Sequence, residues 1–254
     1  MEGLSFAYVV AYNLPLVLAT LVLFLGKLNN IKPSIKCFEK TIAKKILSLG
    51  GGFFVIQIAL IALNSSNEVY INSFFKAKDV VQYNYYHRLF YIINVFISLL
   101  AQPIWSAITK AYFERRYYWI KRMWKVLTLI AFICAIASSL LAILYQPIAD
   151  IWLGEGRLIV STMPVTLFAI MAIQMTIINL SNCLANGLGK LKYQAIFTIM
   201  GAVLKFPLTW FFALVIGDWY AVILATIVAS VPLMIVQPLY IYKYVNRLQS
   251  NRQS

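Results

Sequence analysis

The chain has 254 residues, 62% of them apolar and 12% charged, with a formal net charge of +14. A water-soluble domain is about half apolar and about a quarter charged, so one soluble core cannot bury this much apolar surface, and a bilayer is its natural solvent. The positive charge would suggest a nucleic-acid partner in a soluble protein. Here the basic residues fall between long apolar runs and no nucleic-acid-binding motif accompanies them, so membrane topology explains the charge and no nucleic acid is expected.

Seven segments approach the roughly 20 apolar residues that a helical span requires: 4–25, 46–63, 83–108, 126–145, 163–184, 193–216 and 219–242. The runs are continuous rather than alternating, which argues against a β-barrel. The fold class is therefore an all-α, multi-pass transmembrane bundle. The first run is too long for a signal-peptide core, and the first charge is Glu2 rather than a basic cluster, so it reads as a true span. The domain expectation is a single span over 1–25, a basic linker over 26–45, and a six-span bundle with a short tail over 46–254.

The connections alternate in charge. One side carries Lys27, Lys32, Lys36, Lys40, Lys44 and Lys45, then Lys110, Arg115, Arg116, Lys121, Arg122 and Lys125, then Lys190 and Lys192, then Lys243, Arg247 and Arg252. These are 17 of the 22 basic residues. The other side carries Lys76, Lys78 and Arg157, together with Glu2, Glu68, Asp79, Asp150, Glu155 and Asp218. Basic loops stay in the cytoplasm, so the N-terminus is expected outside and the C-terminus inside. Tyr117, Tyr118, Trp119, Trp219 and Tyr220 belong to the interfacial aromatic belts of any such protein. The linker reads either as a solvated connection or as an amphipathic piece on the membrane surface.

Two basic residues fall within spans. Lys205 lies about 12 residues into the sixth, roughly 18 Å deep and too far in to snorkel easily. Thr198, Gly201, Lys205 and Thr209 share one helix face, and Pro207 beside them loosens the helix. Intramembrane charges mark functional sites by default, so Lys205 is a candidate cationic site for an anionic substrate. The alternative is a structural lysine paired with an acid or a carbonyl. Arg88 lies nearer the end of its span and is either a second contact or a snorkelling residue.

Polar residues also form stripes. His87, Tyr91, Asn94, Ser98, Gln102 and Ser106 run along one side of the third span. Gln57, Asn64 and Glu68 mark the second, and Thr176, Asn179, Asn182 and Asn186 the fifth. Such stripes either hold helices together or line a shared aqueous cavity, and their recurrence on separate spans favours the cavity. His87 is either a titrating group near neutral pH or a simple hydrogen-bonding residue.

Enzyme signatures are missing: the sequence has no nucleophile elbow, zinc-protease motif, Walker loop or dinucleotide fingerprint. Gly50-Gly51-Gly52 lies inside the second span and reads as a site of close helix packing or a bend. Cys37, Cys134 and Cys183 are scattered, which supports neither a disulfide nor a zinc site. No catalytic residue, metal or cofactor is expected.

In order along the chain come Glu68-Val69-Tyr70-Ile71, Val80-Val81-Gln82-Tyr83, Arg88-Leu89, Gln102-Pro103-Ile104-Trp105-Ser106-Ala107, Lys110-Ala111-Tyr112, Trp119-Ile120, Ile148 to Gly154, and Asn186-Gly187-Leu188-Gly189-Lys190. This succession resembles the O-antigen and polysaccharide flippases of the multidrug/oligosaccharidyl-lipid/polysaccharide exporter superfamily. The resemblance implies two six-helix bundles around a central cavity, in a bacterial inner membrane. It also implies translocation of undecaprenyl-diphosphate-linked sugar units. The match is to the last seven spans, so an N-terminal half is expected elsewhere or a second copy in its place. Membrane lipids and polysaccharide-assembly proteins are the other expected partners. Glu68 stands where the family commonly has Asp, and Arg115-Arg116-Tyr117 replaces an Arg-Gly-Asp-like turn. The substrate-binding candidates are Lys205, Arg88, His87, Asn94, Gln102, Gln57, Glu68 and Asn179. Two rival readings are a cation exporter of the same superfamily, which predicts acids inside the membrane, and a polysaccharide polymerase or assembly subunit. The polymerase predicts a long outer loop, and every outer loop here is short.

Overall fold

A computed structural model describes residues 2–26, 28, 31, 34 and 38–250. Lys27, Lys32, Lys36, Cys37 and Arg252, all used in the sequence reading, lie outside the described residues. The chain divides into two compact units, Met1–Gly50 and Gly51–Ser254. Among the described residues there are no strands, and seven helices are long and apolar enough to cross a membrane. The protein is thus an all-α, multi-pass helical bundle. Helices are the natural solution, because a backbone without water must satisfy its own donors and acceptors.

The first unit contains α1 (Glu2–Leu25), whose apolar window has no buried residue. Next comes α2 (Lys40–Leu60), which continues as a π-helical turn (Ile61–Ser65) and, after a break at Ser66, as the short α3 (Asn67–Phe74). The remaining helices are α4 (Ala77–Phe113), α5 (Tyr117–Ile143), α6 (Tyr145–Leu153), α7 (Thr162–Gly187), α8 (Lys192–Ile216) and α9 (Ala221–Ser250). The expected spans fall on helices except at Leu144, which parts α5 from α6, and at Trp219 and Tyr220, which precede α9, and several helices start earlier. Lys40, Lys44 and Lys45 belong to α2 rather than to the linker, and Lys121, Arg122 and Lys125 to α5. Long basic side chains reach water from a helix end, so an apolar run underestimates the helix that carries it. The short helices α3 and α6 have too few apolar residues to register as spans.

Within the second unit α7 and α9 form the interior. Of their apolar windows 61% and 50% are buried, against 11–17% for the other spans that lie wholly in that unit. Small residues allow the close approach. A Cβ on Gly187 would stand 2.7 Å from Ile108 Cγ2 on α4, and one on Gly201 would stand 2.9 Å from the Ala229 carbonyl oxygen on α9. Gly51 and Gly52 meet nothing within 4 Å, as does Gly50. The expected packing role of that triplet is therefore not found, and the tight glycines lie on α7 and α8 instead.

Two apolar clusters occupy opposite ends of this unit. One gathers Tyr86 and Phe90 of α4, Tyr145 of α6, Phe168 of α7 and Trp219. Its rings stack, with Tyr86 to Tyr145 at 5.1 Å and Tyr86 to Trp219 at 5.9 Å between centroids. The other gathers Ile108, Ile120, Leu184 and Ile241. Here the ends of α4, α7 and α9 meet: the Tyr112 and Tyr244 hydroxyls are 3.2 Å apart, and Lys190 lies 4.8 Å above the Tyr244 ring. The basic segments 110–125, 190–192 and 243–247 thus share one end, as the alternation of charge requires. Prolines interrupt α1 (Pro15), α4 (Pro103), α8 (Pro207) and α9 (Pro232 and Pro238).

Candidate functional site

The site begins with a broken helix. Residues 63–67 read Leu-Asn-Ser-Ser-Asn, an abrupt polar run at the end of an apolar one. Ser and Asn compete for backbone hydrogen bonds and favour helix ends. Here the ladder widens into the π-helical turn and stops at Ser66. A helix end leaves carbonyls without backbone partners, and side chains supply them: the Ser66 hydroxyl donates to the Ala62 carbonyl and Lys205 Nζ to the Leu63 carbonyl at 2.6 Å.

Lys205 reaches this point from the buried face of α8, where Thr198, Gly201, Lys205 and Thr209 are all buried. Its ammonium also donates to Ser66 Oγ and to Asn67 Oδ1, each at 2.8 Å, and stands 5.1 Å from the centre of the Tyr70 ring. An ammonium has three donors, and all three are occupied. Asn67 passes the connection on, accepting from Thr226 of α9 at 2.9 Å and donating to the Tyr83 hydroxyl of α4 at 3.3 Å. The expected cationic site at Lys205 is therefore replaced by a structural hub. No donor remains for a phosphate, and Lys205 does not line the cavity beside it.

That cavity has a volume of about 530 Å³. Gln57, Asn64, Asn67 and Glu68 line it from α2, the π-helical turn and α3; His87, Asn94 and Ser98 line it from α4; and Asn179 lines it from α7. Tyr83, His87 and Tyr91 form a ladder one turn apart, with centroids 5.2 and 5.0 Å from ring to ring and planes 18° and 24° apart. Met171 and Met175 of α7 complete the wall with adaptable apolar surface. The amide oxygens of Asn64 and Asn94 are buried without a hydrogen-bond partner among the described residues.

Of the eight candidate residues, the cavity brings together Gln57, Glu68, His87, Asn94 and Asn179. Arg88 is exposed on α4 and off the wall. Gln102 is exposed beyond the cavity's last α4 residue, Ser98, so the polar stripe leaves the site there. The stripe on α7 divides as well. Asn179 faces the cavity, whereas Asn182 Oδ1 accepts from Gln237 Nε2 of α9 at 2.7 Å and serves helix packing. Glu68, which the sequence groups both with the outer acids and with the polar stripe of Gln57 and Asn64, stands on the wall of this hollow. Among the described residues it has no ion-pair partner. Asn67, Tyr83 and Thr226 were not anticipated, because a hub among distant helices leaves no local periodicity. The polar run 63–67 was the available signal.

No family model matches the chain, and neither does any curated protein or any solved structure.

Proposed function

We propose that this protein moves a lipid-linked sugar across a bacterial inner membrane, as a flippase rather than an enzyme. The observation that carries this reading is the polar cavity among apolar, membrane-crossing helices. Polar groups are costly inside a bilayer and persist there where they face a wet cavity or one another. A hollow of this size holds a small head group, while the hydrocarbon tail stays in lipid. The resemblance to the polysaccharide flippases supplies the undecaprenyl-diphosphate carrier. Arg88, exposed one residue along α4 from His87, offers a charge to that diphosphate. The basic ends of α4, α7 and α9 lie in the cytoplasm by the positive-inside rule, which puts the N-terminus outside. A second half or a second copy encloses the cavity, and alternate opening of the two halves carries the head group across.

The test is reconstitution of the full chain in proteoliposomes with an undecaprenyl-diphosphate-linked fluorescent sugar. Protein-dependent exchange between leaflets is expected, and Asn94→Leu should abolish it at unchanged protein level. Exchange no faster than in protein-free vesicles rejects the reading.

Glu68 on the cavity wall supports a second reading, a cation exporter of the same superfamily. That reading expects tetraphenylphosphonium binding that disappears in Glu68→Gln, with no movement of lipid-linked sugar.

A further inference from the structure

The cavity wall carries neutral amides and one carboxylate, a lining unsuited to holding an anion. Among the described residues no lysine or arginine lies on it. The ammonium closest along the hydrogen-bond network, Lys205, has its three donors engaged by Leu63, Ser66 and Asn67. Asn94 is 8% exposed, lines the hollow, and keeps an amide oxygen without a partner among the described residues. The Asn64 amide oxygen is in the same condition. These two oxygens are themselves buried, so what the hollow meets is the rest of each amide together with the side chains of Gln57 and Asn179. Glu68, the wall's one carboxylate, adds acceptors and a negative charge with no counter-ion among the described residues.

An anion entering this space would meet the Glu68 carboxylate with no lysine or arginine on the wall to offset the repulsion. A neutral sugar meets the opposite conditions. Its hydroxyls donate to Glu68 and exchange hydrogen bonds with the lining amides of Gln57, Asn64, Asn94 and Asn179, and its apolar ring face can lie against Tyr91, the exposed end of the ring ladder. We infer that the cavity recognises uncharged, hydroxyl-bearing sugars and turns away acidic ones, with Glu68 setting the discrimination. This rests on the flippase reading for the source of the sugar, and it places the carrier's diphosphate outside the cavity.

The experiment uses the full chain in lipid nanodiscs and two soluble probes of nearly equal size, methyl glucoside and methyl glucuronide, with binding followed by saturation-transfer NMR. The glucoside is expected to bind about tenfold more tightly at neutral pH, the scale of one like-charge contact. Glu68→Gln, which keeps the volume and an acceptor oxygen, should narrow the gap to about threefold or less. Equal binding of the two probes, no binding of either, or an unchanged gap in Glu68→Gln overturns the inference. Leaflet exchange is measured separately on the same protein with neutral and uronic-acid-bearing lipid-linked sugars. Discrimination between the soluble probes without any exchange refutes the flippase reading alone. Exchange that treats both lipid-linked sugars equally refutes the discrimination alone.

Discussion

Lys205 Nζ and the carbonyl oxygen of Leu63 stand 2.6 Å apart although 142 residues of chain separate them. The contact ties the middle of α8 to the end of a broken helix, and through Asn67 it reaches α4 and α9. A lysine that deep in a span suggested a ligand for an anionic cargo. Its three engaged donors assign it instead to holding one wall of the cavity in place.

Lys205→Met should therefore act on stability first. It removes charge-assisted bonds to three acceptors and leaves the Leu63 carbonyl without this donor, a loss of about 2–3 kcal/mol. Thermal unfolding of the purified protein in detergent checks this. A melting temperature equal to that of the wild type would show that the hub carries no load.

The glycines separate into two groups by their surroundings. Gly201→Ala pushes a methyl group toward the Ala229 backbone, which cannot rotate away, and should cost about 1–3 kcal/mol. Gly51→Ala and Gly52→Ala lie on an exposed stretch of α2 with open space around them and should stabilise the helix by about 0.5–1 kcal/mol each. Unfolding measurements on the three variants would contradict this assignment if their order were reversed.

Asn94 should show function and stability pulling apart. Its unpartnered oxygen is a cost to the folded state, so Asn94→Leu, similar in volume, should leave the fold as stable or slightly more so. Sugar transport should fall sharply in the same variant. Parallel melting and transport assays decide it, and a variant that loses both together would point to a packing role.

The buried pair Gln237 and Asn182 joins α9 to α7 at 2.7 Å. A double-mutant cycle with Gln237→Leu and Asn182→Leu should return a coupling of about 0.5–1.5 kcal/mol, the usual range for a polar contact between membrane helices. Coupling indistinguishable from zero would mean that the bond is not maintained in the membrane.

Much of the bundle was legible because a lipid-facing helix must be apolar along its whole length, and such runs stand out. The polar positions at Gln57, Asn94 and Asn179 could be found for the same reason, since each interrupts an apolar run at helical spacing. The role of Lys205 was not legible, because its partners at Leu63, Ser66 and Asn67 come from a different helix. Glu68 was legible in two ways at once: its charge groups it with the outer-loop acids, while its spacing from Gln57 and Asn64 puts it on their polar stripe. The close contacts of Gly187 and Gly201 were equally silent, while the conspicuous Gly50-Gly51-Gly52 packs against nothing.

The interruptions of the helical ladder are unevenly shared. Prolines break α4, α8 and α9, and the π-helical turn follows α2, whereas α5 and α7 run without a break in their interiors. The cavity therefore has one stiff side, α7 braced by α5, and one compliant side, the π-helical turn with α4. Thermal breathing of the hollow, and any widening that admits a ligand, will fall on the compliant side. The amides of α7 should then exchange with deuterium most slowly of all, with the pair acting as the spine against which the rest of the wall flexes.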